Sequence, residues 1–216
     1  MYPTCFVAVK RAVFRVLQWL VRLYFRLLFR VEVRGVENIP RRGRVLIASN
    51  HVSGYDPPLV GCVIPRVVYF LGKKELFEIP GLAQLIRFCN CIPVDRTDFA
   101  AATLKQIEGV LKNDEALMLF PEGTRTLTGR PLRWKAGLGM IAARTGADIV
   151  PACIENLFGV RGSILTRPHV RITFGAALPV APFLANQAQG KELYAQIATA
   201  AHARLMELIQ QPELPA

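Results

Sequence analysis

Residues 44–58 read RVLIASNHVSGYDPP, and this stretch decides the architecture. Val45 to Ala48 is a short unbroken apolar run of the length expected for a strand buried on both faces. Ser49 to Tyr55 is polar and contains Gly54, which reads as a loop. Asp56, Pro57 and Pro58 then open a helix, with aspartate expected at the cap and proline in the first turn. A strand, a loop and a helix in immediate succession are half of a β-α-β unit.

Working outward, runs rich in Val, Ile and Phe recur at 31–36, 44–48, 67–71, 91–94, 116–120, 149–154 and 170–174. Helical segments are expected around 57–64, 79–88, 99–112 and 135–145, with a last amphipathic helix from Lys191 to Gln210. This alternation predicts a single α/β domain around a mixed, mainly parallel sheet flanked by helices. A length of 216 residues suits one such domain, and no internal repeat or low-complexity linker interrupts it. The cysteines Cys5, Cys62, Cys89, Cys91 and Cys153 are odd in number and fit no zinc or disulfide spacing, so they are expected to be reduced and no metal site is predicted.

The formal charge of +11 is concentrated at one end. Ten Lys and Arg lie in residues 1–44, against Glu32 and Glu37. No Gly or Pro falls between Pro3 and Gly35, so this segment reads as helical. At about 100° per residue, Arg11, Arg15, Arg22 and Arg26 fall within about 60° of one another, while Val13, Phe14, Leu17, Leu20, Tyr24 and Leu27 occupy the other side. The longest charge-free run after Lys10 is Val16 to Val21, far short of the ~18 residues a span requires. Charges within the apolar region also argue against a signal peptide. Residues 1–30 are therefore expected to lie in a membrane surface as a basic amphipathic segment, preceding a domain at 31–216. Nucleic acid is disfavoured as a partner, because the aromatics sit on an apolar helix and no nucleic-acid module signature is present.

Two constellations carry chemistry. His51 follows the first strand and Asp56 stands five residues on, so the carboxylate can fix the imidazole tautomer and leave the second ring nitrogen as a base. No Gly-x-Ser-x-Gly elbow surrounds Ser53, which is read as a turn-stabilising serine rather than a nucleophile. The proton removed is then that of a substrate hydroxyl. The second constellation is FPEGTR, residues 120–125, at the end of another strand. Gly123 there permits backbone approach to an anion, Arg125 offers a planar fork for phosphate, and Lys135 follows ten residues later as a further cation at the start of a helix.

NHVSGYD followed by FPEGTRT, with GKKELFEIPGLAQLIRFCNCIPVDR between them and VPACI after, closely resembles the glycerolipid acyltransferase family, typified by the 1-acylglycerol-3-phosphate acyltransferases. The resemblance covers residues 30–175 or so, in the expected order. It implies a catalytic dyad of His51 and Asp56, and acceptor-phosphate binding by Arg96, Glu122, Gly123, Thr124 and Arg125. Lys73, Lys74 and Lys135 are candidate oxyanion donors, and Val150 and Pro151 fall on the acyl-donor side. The family's usual glycine before the second-motif Ile is replaced by Asn90, a residue that tolerates positive φ.

The implied reaction moves a fatty acyl group from coenzyme A or acyl carrier protein to a lysophospholipid hydroxyl, with no cofactor, in phospholipid biosynthesis at the cytosolic face of a membrane. The implied attachment is peripheral or monotopic. Another lyso-lipid acceptor, such as a lyso-aminolipid, or a non-catalytic lipid-binding role are the alternatives.

Overall fold

The computed structural model describes residues 4–95, 101–186 and 188–210, with side chains from residue 13 onward. Seven strands form one sheet: β1 (Arg30–Arg34), β2 (Val45–Ser49), β3 (Val68–Lys73), β4 (Cys91–Val94), β5 (Ala116–Leu119), β6 (Asp148–Glu155) and β7 (His169–Phe174). Their spatial order is β1-β7-β6-β2-β5-β3-β4. All neighbours run parallel except β6 and β7. The mixed, mainly parallel sheet expected from the apolar runs is therefore present, and each run supplies one strand.

The helices are α1 (Thr4–Leu28), α2 (Asp56–Val63), α3 (Leu82–Phe88), α4 (Ala101–Lys112), α5 (Gly137–Thr145), α6 (Ala181–Leu184) and α7 (Gly190–Gln210). Strand β2 shows why the sequence folds in three layers. Val45 and Ile47 join a core formed with Phe25 of α1, Phe29 just after it, and Leu59 and Val60 of α2. Leu46 and Ala48 join a second core with Ile107, Leu138, Ile141 and Ile197 of α4, α5 and α7. Because successive side chains leave a strand on opposite faces, an unbroken apolar run is the signature of a strand covered on both. Gly139 lets α5 approach the Tyr194 carbonyl of α7 more closely than any Cβ would allow.

The first helix divides into two apolar faces. Phe14 and Phe25 are buried against the domain, and Gln18 and Arg22 donate to the carbonyls of Gly61 and Cys62 in α2. Arg22 is thus a structural staple between α1 and α2, which corrects its expected place in a purely outward-facing basic stripe. Val16, Trp19, Leu20, Leu23, Tyr24 and Leu27 remain exposed on the far side. Among the described residues, no helix is long and apolar enough to cross a membrane.

Candidate active site

The site lies where β2 and β5 end. His51 Nδ1 is 2.6 Å from Asp56 Oδ2, and the same oxygen accepts from the Val52 and Ser53 amides at 2.7 and 2.8 Å. The expected cap is corrected here: Asp56 is the first residue of α2, Tyr55 precedes it as the cap, and no side chain caps the helix. The carboxylate turns back into the loop instead, so it organises the His51 segment directly. An oxygen that already accepts from two amides faces Nδ1 as an acceptor too, which assigns the Nδ1 proton to this contact and makes Nε2 the ring nitrogen available to substrate. Ser53 Oγ accepts from the Tyr55 amide, in the turn-stabilising role expected for it.

Two side chains that were not singled out in the sequence hold the histidine. Asn50 donates to the Ile154 carbonyl at 2.9 Å and accepts from the Ile154 amide at 2.8 Å, pinning the loop to β6. The Phe120 ring stacks on the imidazole with centroids 4.1 Å apart and planes at 20°. Little is left for solvent, and His51 is only 9% exposed. Both contacts join residues far apart in the chain, so no local signal in the sequence marks them.

The FPEGTR turn closes over this loop. Thr126 N–H donates to the His51 carbonyl at 2.9 Å, and Lys135 N–H donates to that of Pro121 at 3.0 Å. Gly123 has φ +76°, but its amide bonds to the Phe120 carbonyl and is not aimed outward as an anion donor. Its missing side chain serves differently. A Cβ there would lie 2.7 Å from Lys135 Nζ, so the ammonium rests directly over the glycine. Arg125 is exposed, and its guanidinium lies about 3.6 Å from where a Cβ on Gly54 would be, so it spans the two loops. Thr124 is exposed on the same turn.

Glu122 is 2% exposed and no side chain pairs with its carboxyl, which only the backbone of Leu132 and His51 approaches, too loosely for a well-formed hydrogen bond. Burial pushes its carboxyl up to about 7, opposed by that weak backbone hydrogen bonding and reinforced by the Asp56 charge. The folded state thus holds a proton more tightly than the unfolded chain. Its contribution to stability is complete below the ordinary value of 4.5 and is lost as pH rises through about 7. Glu122→Gln has no such titration, so its stability relative to wild type should rise by about 1–3 kcal/mol between about pH 5 and about pH 8. Urea unfolding at both pH values measures this, and equal differences at the two would show an unperturbed carboxyl.

Other predicted residues lie apart from this cluster. Lys73 ends β3 on the rim and pairs with Glu75 at 2.8 Å, while Lys74 is exposed beside it. Val150 and Pro151 are buried within β6, paired with Ile47 and Ala48. Arg96 lies outside the described residues. Asn90, in the position expected to tolerate positive φ, adopts φ +58°. Lys135 stands two residues ahead of α5 rather than opening it.

Comparison with known proteins fits this arrangement. A family model described as Acyltransferase matches residues 30–155. The 1-acyl-sn-glycerol-3-phosphate acyltransferase of Bacillus subtilis is 28% identical over 179 residues, 82% of this chain and 87% of that protein. The lyso-glycine lipid O-acyltransferase of Bacteroides thetaiotaomicron is 32% identical over 132 residues, 56% of this chain but only 47% of its own length. The crystal structure of the 1-acyl-sn-glycerophosphate (LPA) acyltransferase PlsC from Thermotoga maritima superposes with a TM-score of 0.74 at 25% identity, covering 95% of this chain and 83% of that one. With the family model spanning residues 30–155 and both motif loops inside it, the chain belongs to the acyltransferase family.

Proposed function

We propose that the protein transfers a fatty acyl group from an acyl thioester of coenzyme A or acyl carrier protein to the free hydroxyl of 1-acylglycerol 3-phosphate, giving phosphatidic acid. The observation that carries this reading is a solvent-restricted His51–Asp56 pair with Nε2 free, beside a turn that bears Arg125 and has the Lys135 ammonium resting over its Gly123. In the proposed step His51 Nε2 takes the hydroxyl proton as the alkoxide oxygen attacks the thioester carbonyl. The tetrahedral intermediate collapses to the new ester, and the departing thiolate recovers the proton from the imidazolium as free thiol. The thioester is already activated, so the reaction requires no acyl-enzyme.

Among the three candidate lysines, Lys135 is best suited to stabilise the oxyanion, because its ammonium lies over Gly123 whereas the Lys73 ammonium is held by Glu75. Arg125, with Arg96, is assigned to the acceptor phosphate. Glu122, buried against the backbone of Leu132 and His51, is assigned to ordering the turn rather than touching the phosphate. The exposed apolar face of α1, with Arg15 and Arg26 beside it, would lie in the cytosolic leaflet as a peripheral attachment.

The resemblance to a lyso-glycine lipid acyltransferase keeps that acceptor as the competing reading. The guanidinium of Arg125 at the turn, with Arg96 assigned to the same anion, favours a phosphate monoester instead. Purified protein given labelled acyl donor and a panel of lyso-acceptors tests the choice. Turnover should be fastest with lysophosphatidic acid, and preference for an acceptor lacking phosphate would overturn the assignment.

A further inference from the structure

A second feature stands at the same end of the sheet as the dyad. Strands β1 and β7 run opposite to β6, so their first residues, Arg30 and His169, lie at the edge where β2, β5 and β6 end. There a hollow of about 440 Å³ is walled by Arg26, Phe29, Arg30, Arg167 and His169, with Glu32 as its one carboxylate. Glu32 is already shared by Arg34, His169 and Arg171. Among the described residues no carboxylate pairs with Arg26 or Arg30, so the hollow keeps a net positive charge.

The loop 161–168 rises beside this hollow. Ile164 is 68% exposed and Leu165 is 95% exposed, although two adjacent large aliphatic side chains ordinarily avoid water. Their exposure is not that of a loose strand of chain. Ser163 Oγ accepts from Thr166 N–H, the Ser163 carbonyl accepts from Arg167 N–H at 3.0 Å, and Ser163 N–H donates to the Leu28 carbonyl at the end of α1. Arg167 also donates to the Arg26 carbonyl at 2.7 Å. The tip is thus fastened to the helix whose far face carries Trp19, Leu23 and Leu27 in the open. Leu127, 91% exposed, stands on the loop after β5 at the same end of the sheet.

We propose that the 161–168 loop is a second membrane-inserting element, with Ile164 and Leu165 entering the acyl boundary while Arg26 and Arg30 take the phosphate of an anionic bilayer lipid in the adjoining hollow. Apolar tips flanked by unpaired guanidinium groups match the two layers of a bilayer surface, in which anionic phosphates lie just outside the hydrocarbon. This attachment, separate from α1 in sequence, would set the tilt of the domain so that the His51 loop faces the leaflet. It rests on the lipid-substrate reading above only for the presence of a bilayer.

The test is cosedimentation of the full chain with vesicles of phosphatidylcholine alone and of phosphatidylcholine mixed equally with phosphatidylglycerol. Ile164→Ser with Leu165→Ser should weaken binding to both by roughly ten-fold, with an unchanged melting temperature. Arg30→Gln should weaken binding to the mixed vesicles by about five-fold and leave the neutral ones unaffected. Inorganic phosphate at matched ionic strength should leave wild-type binding to the mixed vesicles in place, and displacement by it would make the hollow a soluble-anion site instead. Wild-type binding by the folded serine variant would overturn the insertion. Because the readout is binding without turnover, failure here is distinguishable from failure of the acyl-transfer reading, which would show as no turnover of a soluble short-chain acceptor.

Discussion

His51→Ala should lower turnover by roughly 10² to 10⁴, the range over which a positioned general base contributes. The fold should survive the change. Asp56 Oδ2 keeps the Val52 and Ser53 amides as donors, so the buried carboxylate is not left unpaired. Asp56→Asn discriminates base chemistry from simple loss of packing. With the amide oxygen in the Oδ2 place, the Val52 and Ser53 amides and Nδ1–H keep their acceptor and the –NH₂ takes the unpartnered Oδ1 position, so what is lost is the negative charge facing the imidazolium that forms as the base takes its proton. Near-complete loss of activity in His51→Ala and a smaller but marked loss in Asp56→Asn, both with retained near-ultraviolet circular dichroism, are the expected results. A folded His51→Ala protein with full kcat would remove the base from the mechanism.

The parts of this site that sequence reveals are those fixed by local chemistry. Val45–Ser49 is legible as a strand because both faces of β2 are covered, so alternation vanishes and a plain apolar run remains. The five-residue separation of His51 and Asp56 is likewise local, and the short loop between them makes their contact geometrically easy. Asn50 is different. Its partner is Ile154, 104 residues away, and nothing near position 50 announces that pairing. The Phe120 stack has the same character. Asp56-Pro57-Pro58 looks like a capped helix start whichever way the carboxylate points, and only the folded loop turns it toward Val52 and Ser53. For α1, periodicity reveals amphipathy but not which of two apolar faces the domain claims. The Arg22 bond to the Cys62 carbonyl, which settles the matter for one arginine, joins residues 40 apart.

Arg125→Ala should lower kcat/KM for lysophosphatidic acid by roughly 30- to 1,000-fold, which corresponds to about 2–4 kcal/mol of transition-state stabilisation. Arg125 spans two loops of the site. Its guanidinium approaches Gly54, three residues beyond the base, while its backbone continues the turn carrying Glu122 and Gly123. A phosphate held there is therefore fixed relative to His51 itself, and releasing it displaces the reacting hydroxyl as well as weakening the ground-state complex. The loss should consequently appear in kcat as well as in KM. Arg125→Lys keeps the charge but not the bidentate fork, so it should recover part of KM and little of kcat. Lys135 provides the internal contrast: Lys135→Met removes an ammonium resting over Gly123 and should act on kcat whatever the acceptor headgroup, if it serves the oxyanion. Glycerol 3-phosphate should compete with substrate in the wild type and much less in Arg125→Ala. Unchanged efficiency of Arg125→Ala on lysophosphatidic acid would sink the phosphate assignment while leaving acyl transfer by His51 intact, because the base and the clamp sit on different loops and fail separately.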